Sequence, residues 1–183
     1  MKDRLLNLVL PILIALDWSE GKVFRVSKME CRTLDPSFTY FKTCKVIHRE
    51  NGRAALYVNE VILYKDPIDD ILLNLGVFKI AKNRRFQFLN ETLDYCLFSR
   101  QYLASGFFGF LMTPLMKISN LNITCPLQPQ PNIIFNGFPV DENTIKEIPI
   151  PNGVYMFQMR TSMMKKWRTD VKVYATRVDK YSE

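Results

Sequence analysis

Histidine occurs once in this 183-residue chain, at His48, and no H-E-x-x-H, G-x-G-x-x-G, Walker-type phosphate loop or EF-hand pattern is present. With one histidine and no C-x-x-C, the usual zinc sites have no ligand set. A Ser-His-Asp or Cys-His centre would have to use His48, which sits in a strand-like run beside Arg49 with no nucleophile elbow around it. Paired carboxylates stand at Asp69-Asp70 and Asp141-Glu142. Neighbours on a strand point to opposite faces, so neither pair can flank one bond. The chain therefore reads as non-enzymatic, with no catalytic residue, metal or cofactor.

Long apolar runs are also scarce. The N-terminal run LLNLVLPILIAL has twelve residues, against roughly twenty needed to cross a bilayer. Preceded by Lys2 and Arg4 and followed by the polar DWSEG, it has the layout of a secretory signal peptide. Residues 1–21 are read as that peptide and residues 22–183 as a single mature domain, secreted and without a transmembrane segment. Acidic residues are the minority. Removing the leader takes away two basic and three acidic residues and leaves 23 basic against 15 acidic, a net charge of +8. Secretion and the scatter of the basic residues argue against nucleic acid as the partner.

Cysteines number four, Cys31, Cys44, Cys96 and Cys125, an even count that suits disulfides in an oxidising compartment. Four allow three pairings, among which sequence alone does not decide. The expected choice is Cys31 with Cys44 and Cys96 with Cys125, because each pair closes a modest loop between neighbouring elements. Two sequons, Asn90-Glu91-Thr92 and Asn122-Ile123-Thr124, make Asn90 and Asn122 candidate glycosylation sites at the surface.

What the chain has in abundance is strand pattern. Lys22 to Glu50 reads as two strands joined by a turn at Leu34-Asp35-Pro36-Ser37, and Asn51-Gly52 as a hairpin leading into a third strand of the same sheet. Arg53 to Lys82 reads as two long antiparallel strands around Lys65-Asp66-Pro67. In the second of them Ile71, Leu73, Leu75 and Val77 share a face opposite Asn74 and Gly76. A short strand carries Phe86 and Phe88. From about residue 93 to 118 the apolar spacing becomes helical, with a restart at Thr113-Pro114. Ile133 to Phe138 is a short strand, and two more close the chain, one with Tyr155, Phe157 and Met159 on a face and one with Val171, Val173 and Ala175. Seven to eight short antiparallel strands with one helical insertion predict a mainly β protein, a β-sandwich. The layer over the apolar face of Arg53 to Lys82 is expected to come from strands 154–163 and 170–178 and from the helix after Leu93.

The order E-C-R-T-L-D-P-S-F-T-Y-F-K-T-C-K-V (residues 30–46), L-Y-V-N, L-Y-K-D-P-I, L-N-L-G-V-F-K, F-L-N-E-T-L-D-Y-C, S-N-L-N-I-T-C-P, N-G-V-Y-M-F and V-K-V-Y resembles a large insect family. Its members are small secreted proteins of unknown function, grouped with the lipid-recognition (ML) superfamily of ganglioside-activator and sterol-transfer proteins. Leu127, Pro129-Gln130-Pro131 and Arg85 depart from the family pattern, in loops and at a strand start. The resemblance implies an immunoglobulin-like sandwich whose two sheets splay to admit a lipid, and some relatives are linked to chemosensation. The expected function is thus to bind a lipid or other apolar small molecule between the sheets, in chemosensory or lipid-related extracellular signalling. Leu73, Leu75, Val77, Phe157, Met159, Val171 and Val173 would line the site, with Phe107, Phe108 and Phe110 near its mouth. The alternative is a ligand-free secreted module with a filled core, docking on an extracellular receptor through GFFGFLM or the basic surface.

Overall fold

Runs in which Val, Ile, Leu, Phe and Tyr alternate with polar residues favour extended chain with one buried face. In the computed structural model, which describes residues 22–49, 53–82, 84–101, 116, 119–120, 124–140 and 150–179, these runs form eight strands. They are β1 (Lys22–Thr33), β2 (Thr39–His48), β3 (Ala54–Ile62), β4 (Ile71–Ala81), β5 (Arg84–Asp94), β6 (Asn132–Val140), β7 (Gly153–Met163) and β8 (Lys166–Asp179), with a helix α1 (Tyr95–Gln101) after β5. All pairings are antiparallel. One sheet has the order β1-β8-β7-β4-β5 and the other β2-β3-β6. The fold is a two-layer β-sandwich, as the strand pattern and the resemblance both implied.

The connectivity differs from the sequence expectation in three places. First, β1 and β2 do not share a sheet: β1 pairs with β8 and β2 with β3. The turn at Asp35 carries the chain across the layers. It is held there by Leu34 N–H donating to the Arg168 carbonyl at 2.8 Å and by the Arg168 guanidinium donating to the Asp35 carboxylate. Second, β3 and β4 lie in opposite sheets, so Arg53 to Lys82 supplies one strand to each layer. Third, β7 and β8 extend the sheet of β4 sideways instead of covering it, and the covering layer is β2-β3-β6. The strand with Phe86 and Phe88 is also longer than expected, running on to Asp94.

The helix begins at Tyr95 rather than Leu93, because Asp94 caps it: Leu97 N–H donates to Asp94 Oδ1 at 2.9 Å. Of the helical pattern beyond Gln101, Met116 is helical and residues 102–115 lie outside the described residues, as do Asn51-Gly52 and residues 1–21.

Register shifts set one strand residue out of step at Ser27, Lys42, Phe88, Gly137 and Arg168. Each shift swaps which positions face inward. In β6 the inward residues are Ile133 and Phe135 before the shift and Phe138 and Val140 after it. Gly137, at a φ of 78°, takes the left-handed conformation that the extra residue needs.

Both disulfides join the expected partners. Cys31 and Cys44 stand on the inner faces of β1 and β2, so their bond clasps the two layers along one side, with a Cα–Cα distance of 6.1 Å. Cys96 on α1 bonds Cys125, ahead of Leu127, whose backbone exchanges two hydrogen bonds with Ile68 at 2.7 and 3.0 Å. Buried side chains fall into two clusters. One gathers Phe38, Ile62, Ile68, Ile71, Tyr95 and Leu127, and the other Phe24, Ala54, Val77, Val140, Ile150 and Tyr155.

Candidate ligand-binding cavity

Two sheets with complementary inner faces normally interdigitate without voids larger than a water. Here a cavity of about 230 Å³ lies between the layers, lined from both clusters. One water takes roughly 10–15 Å³ of such space, so the cavity corresponds to on the order of 500 Å³ of liquid, the bulk of one long alkyl chain.

The five-stranded sheet contributes Leu73, Leu75 and Val77 from β4, Phe157 and Met159 from β7 and Val171 and Val173 from β8. These are the seven residues expected from alternation, and the structure brings all of them to one wall. Cross-strand pairing explains it: Val77 faces Phe157 and Phe157 faces Val173, while Leu75 faces Met159 and Met159 faces Val171. Phe107, Phe108 and Phe110 lie outside the described residues.

The opposite wall was missed from sequence. It consists of Phe41 from β2, Leu56, Val58 and Glu60 from β3 and Ile133, Phe135, Phe138 and Val140 from β6. For β2 and β6 the register shifts hide the alternation. For β3 the signal was readable: Leu56, Val58, Glu60 and Ile62 follow a strict period of two.

Polar groups in this lining are few. Gln158 is spent elsewhere, its Nε2 donating to Asp170 Oδ1 at 2.7 Å. Thr161 and Thr169 are cross-strand neighbours. Glu60 is the acid of the wall, 6% exposed, with Phe41 and Ile133 as its cross-strand neighbours. Its Oε1 lies 2.9 Å from the hydroxyl of Thr39, itself fully buried, and that hydroxyl is also 2.9 Å from the Val61 carbonyl oxygen. Burial pushes the Glu60 carboxyl up to about 7, against a smaller lowering from the hydrogen bond that Thr39 can donate to the ionised form. His48, by contrast, is exposed at the end of β2. Among the described residues there is no cluster of three or more groups able to hold a metal.

Asn90 is exposed on edge strand β5, where its Oδ1 accepts from Asn74 Nδ2 at 2.7 Å. Asn122 and Ile123 of the second sequon lie outside the described residues. No described helix is long and apolar enough to cross a membrane.

Comparison with known proteins gives a partial match. A model of the family described as "Protein of unknown function (DUF1091)" matches residues 73–157, in keeping with the resemblance to a family of unknown function. No curated protein matches the chain. Among solved structures, chicken MD-1 complexed with lipid IVa is similar at 12% identity and a TM-score of 0.36, over 84% of this chain and 96% of that one. A Niemann-Pick type C2 protein from the Japanese carpenter ant is similar at 17% identity and a TM-score of 0.35, over 84% and 92%.

Proposed function

We propose that this chain is a secreted, non-enzymatic binder of a lipid or other apolar small molecule held between its two sheets. One observation carries the reading: the cavity is walled almost wholly by aliphatic and aromatic side chains from both layers. Affinity then comes from burial, at roughly 25 cal/mol per Å² of apolar surface, and selectivity from shape and a few polar groups. A ligand-free docking module calls for a filled core, and the cavity favours the first reading. The leader-like residues 1–21 and the two cross-links support export, after which residues 22–183 act as the mature domain. Exposed Asn90 then becomes a glycan site, and chemosensory or lipid-related signalling through an extracellular receptor is the setting that the family resemblance suggests.

The test is titration of delipidated protein with fluorescent fatty acids and sterols, beside Leu75→Trp. An indole at position 75 grows into the cavity, so the variant should keep its fold and lose at least tenfold in affinity. No saturable binding of any probe to the parent protein rejects the reading.

A further inference from the structure

Among the described residues the cavity wall carries one acid, Glu60, in a lining that is otherwise mostly apolar, and its hydrogen bonding shows what kind of ligand it suits. A threonine hydroxyl has one proton. Thr39 Oγ1 lies within hydrogen-bond distance of two oxygens, the Val61 carbonyl and Glu60 Oε1. The carbonyl can only accept. Both contacts are hydrogen bonds together when Thr39 donates to Val61 and a protonated Glu60 donates through Oε1 to Thr39. A carboxyl buried among Phe41, Val58, Ile133 and Ile62 is held in that neutral form more readily than one in water.

Among the described residues no hydrogen bond reaches Oε2 of Glu60. Glu60 therefore offers an occupant of the cavity an acceptor and no proton, since the acid proton is committed to Thr39. If the carboxyl ionises, Oε2 is still an acceptor, and a stronger one. At Glu60 a fatty acid anion finds no donor in either state and meets a like charge in the second. A hydrocarbon, an ether or an ester leaves Oε2 unpaired behind it, which costs binding. An alkylammonium would have to shed its hydration to enter an apolar wall. A hydroxyl satisfies the acceptor in both states.

We infer that Glu60 selects a lipid alcohol, which enters hydroxyl-first and donates that hydroxyl to Glu60 Oε2 while its apolar body fills the space between the sheets. This rests on the reading of the cavity as a ligand site, and deepens it by naming the buried end of the ligand.

Three probes with the same sixteen-carbon chain separate the possibilities: 1-hexadecanol, its methyl ether and hexadecanoate. Each competes with an apolar fluorescent dye for the delipidated full-length protein. The alcohol should bind at least about tenfold more tightly than the ether, one hydrogen bond's worth, and more tightly than the carboxylate. In Glu60→Leu the alcohol-to-ether ratio should fall to near one, the ether binding more tightly because it no longer leaves an acceptor unpaired, and Glu60→Gln, which retains an acceptor, should keep part of the preference. Alcohol and ether equal within about twofold in the parent protein would overturn the inference while leaving the apolar site standing, whether or not the Leu variant folds. Dye and all three probes failing to bind would overturn the underlying reading and the inference with it.

Discussion

At the scale of single residues, Glu60 has a consequence for stability that is independent of any ligand. An ordinary glutamate carboxyl titrates near 4.5, and here burial raises it to about 7. A raised acid is bound to its proton more tightly in the folded than in the unfolded chain. The stabilisation is therefore complete below about pH 4.5 and is lost as pH rises to about 7, a difference on the order of 3 kcal/mol. Glu60→Gln removes the titration. Urea unfolding between pH 4.5 and 8 should show the parent weakening along this limb and the variant flat across it, with the variant the more stable of the two at pH 8. At Gly137 the constraint is geometric. A β-carbon there would sit 3.2 Å from the Tyr57 hydroxyl on a backbone at φ 78°, so this position of β6 is closed to larger side chains.

At the scale of elements, the clasp between β1 and β2 is the one disulfide that joins a strand of each layer among the described residues. Replacing Cys31 and Cys44 together by serine opens a loop with a sequence separation of 13 and should cost about 3 kcal/mol, measured as a lower denaturation midpoint in urea. The same elements explain what the sequence revealed. In β4, β7 and in β8 from Thr169 onward, inward residues keep a strict alternation, and seven residues of the wall they build were legible, while Ile71, Thr161, Met163, Thr169 and Ala175 line it as well. In β1, β2 and β6 the alternation breaks at Ser27, Lys42 and Gly137, so a period-two reading loses phase halfway along and half the cavity went unseen. Glu60 is hidden for another reason: it keeps phase with Leu56 and Val58, but a charged side chain ordinarily faces solvent, so its type argues against the inward position that its phase gives it. Sheet membership was illegible because hairpin-like spacing fits both a hairpin and a crossing between layers.

At the scale of the whole molecule, a ligand that binds only the folded state raises its stability with concentration by mass action. The thermal midpoint should therefore climb with added 1-hexadecanol in the parent protein and much less in Leu75→Trp. The pairing of the first described strand with the last, Phe24 opposite Arg177 and Cys31 opposite Val171, has a kinetic side as well. Contacts so distant along the chain close large loops, and folding slows as that distance grows. During synthesis β1 waits without its sheet neighbour until β8 has emerged, and β8 also carries Val171 and Val173. A chain stopped after Met163 should show no cooperative unfolding transition. The full chain should refold in a single slow phase in which near-ultraviolet dichroism and dye binding recover together, so the space for a ligand comes into being at the last step of folding, with the native state itself.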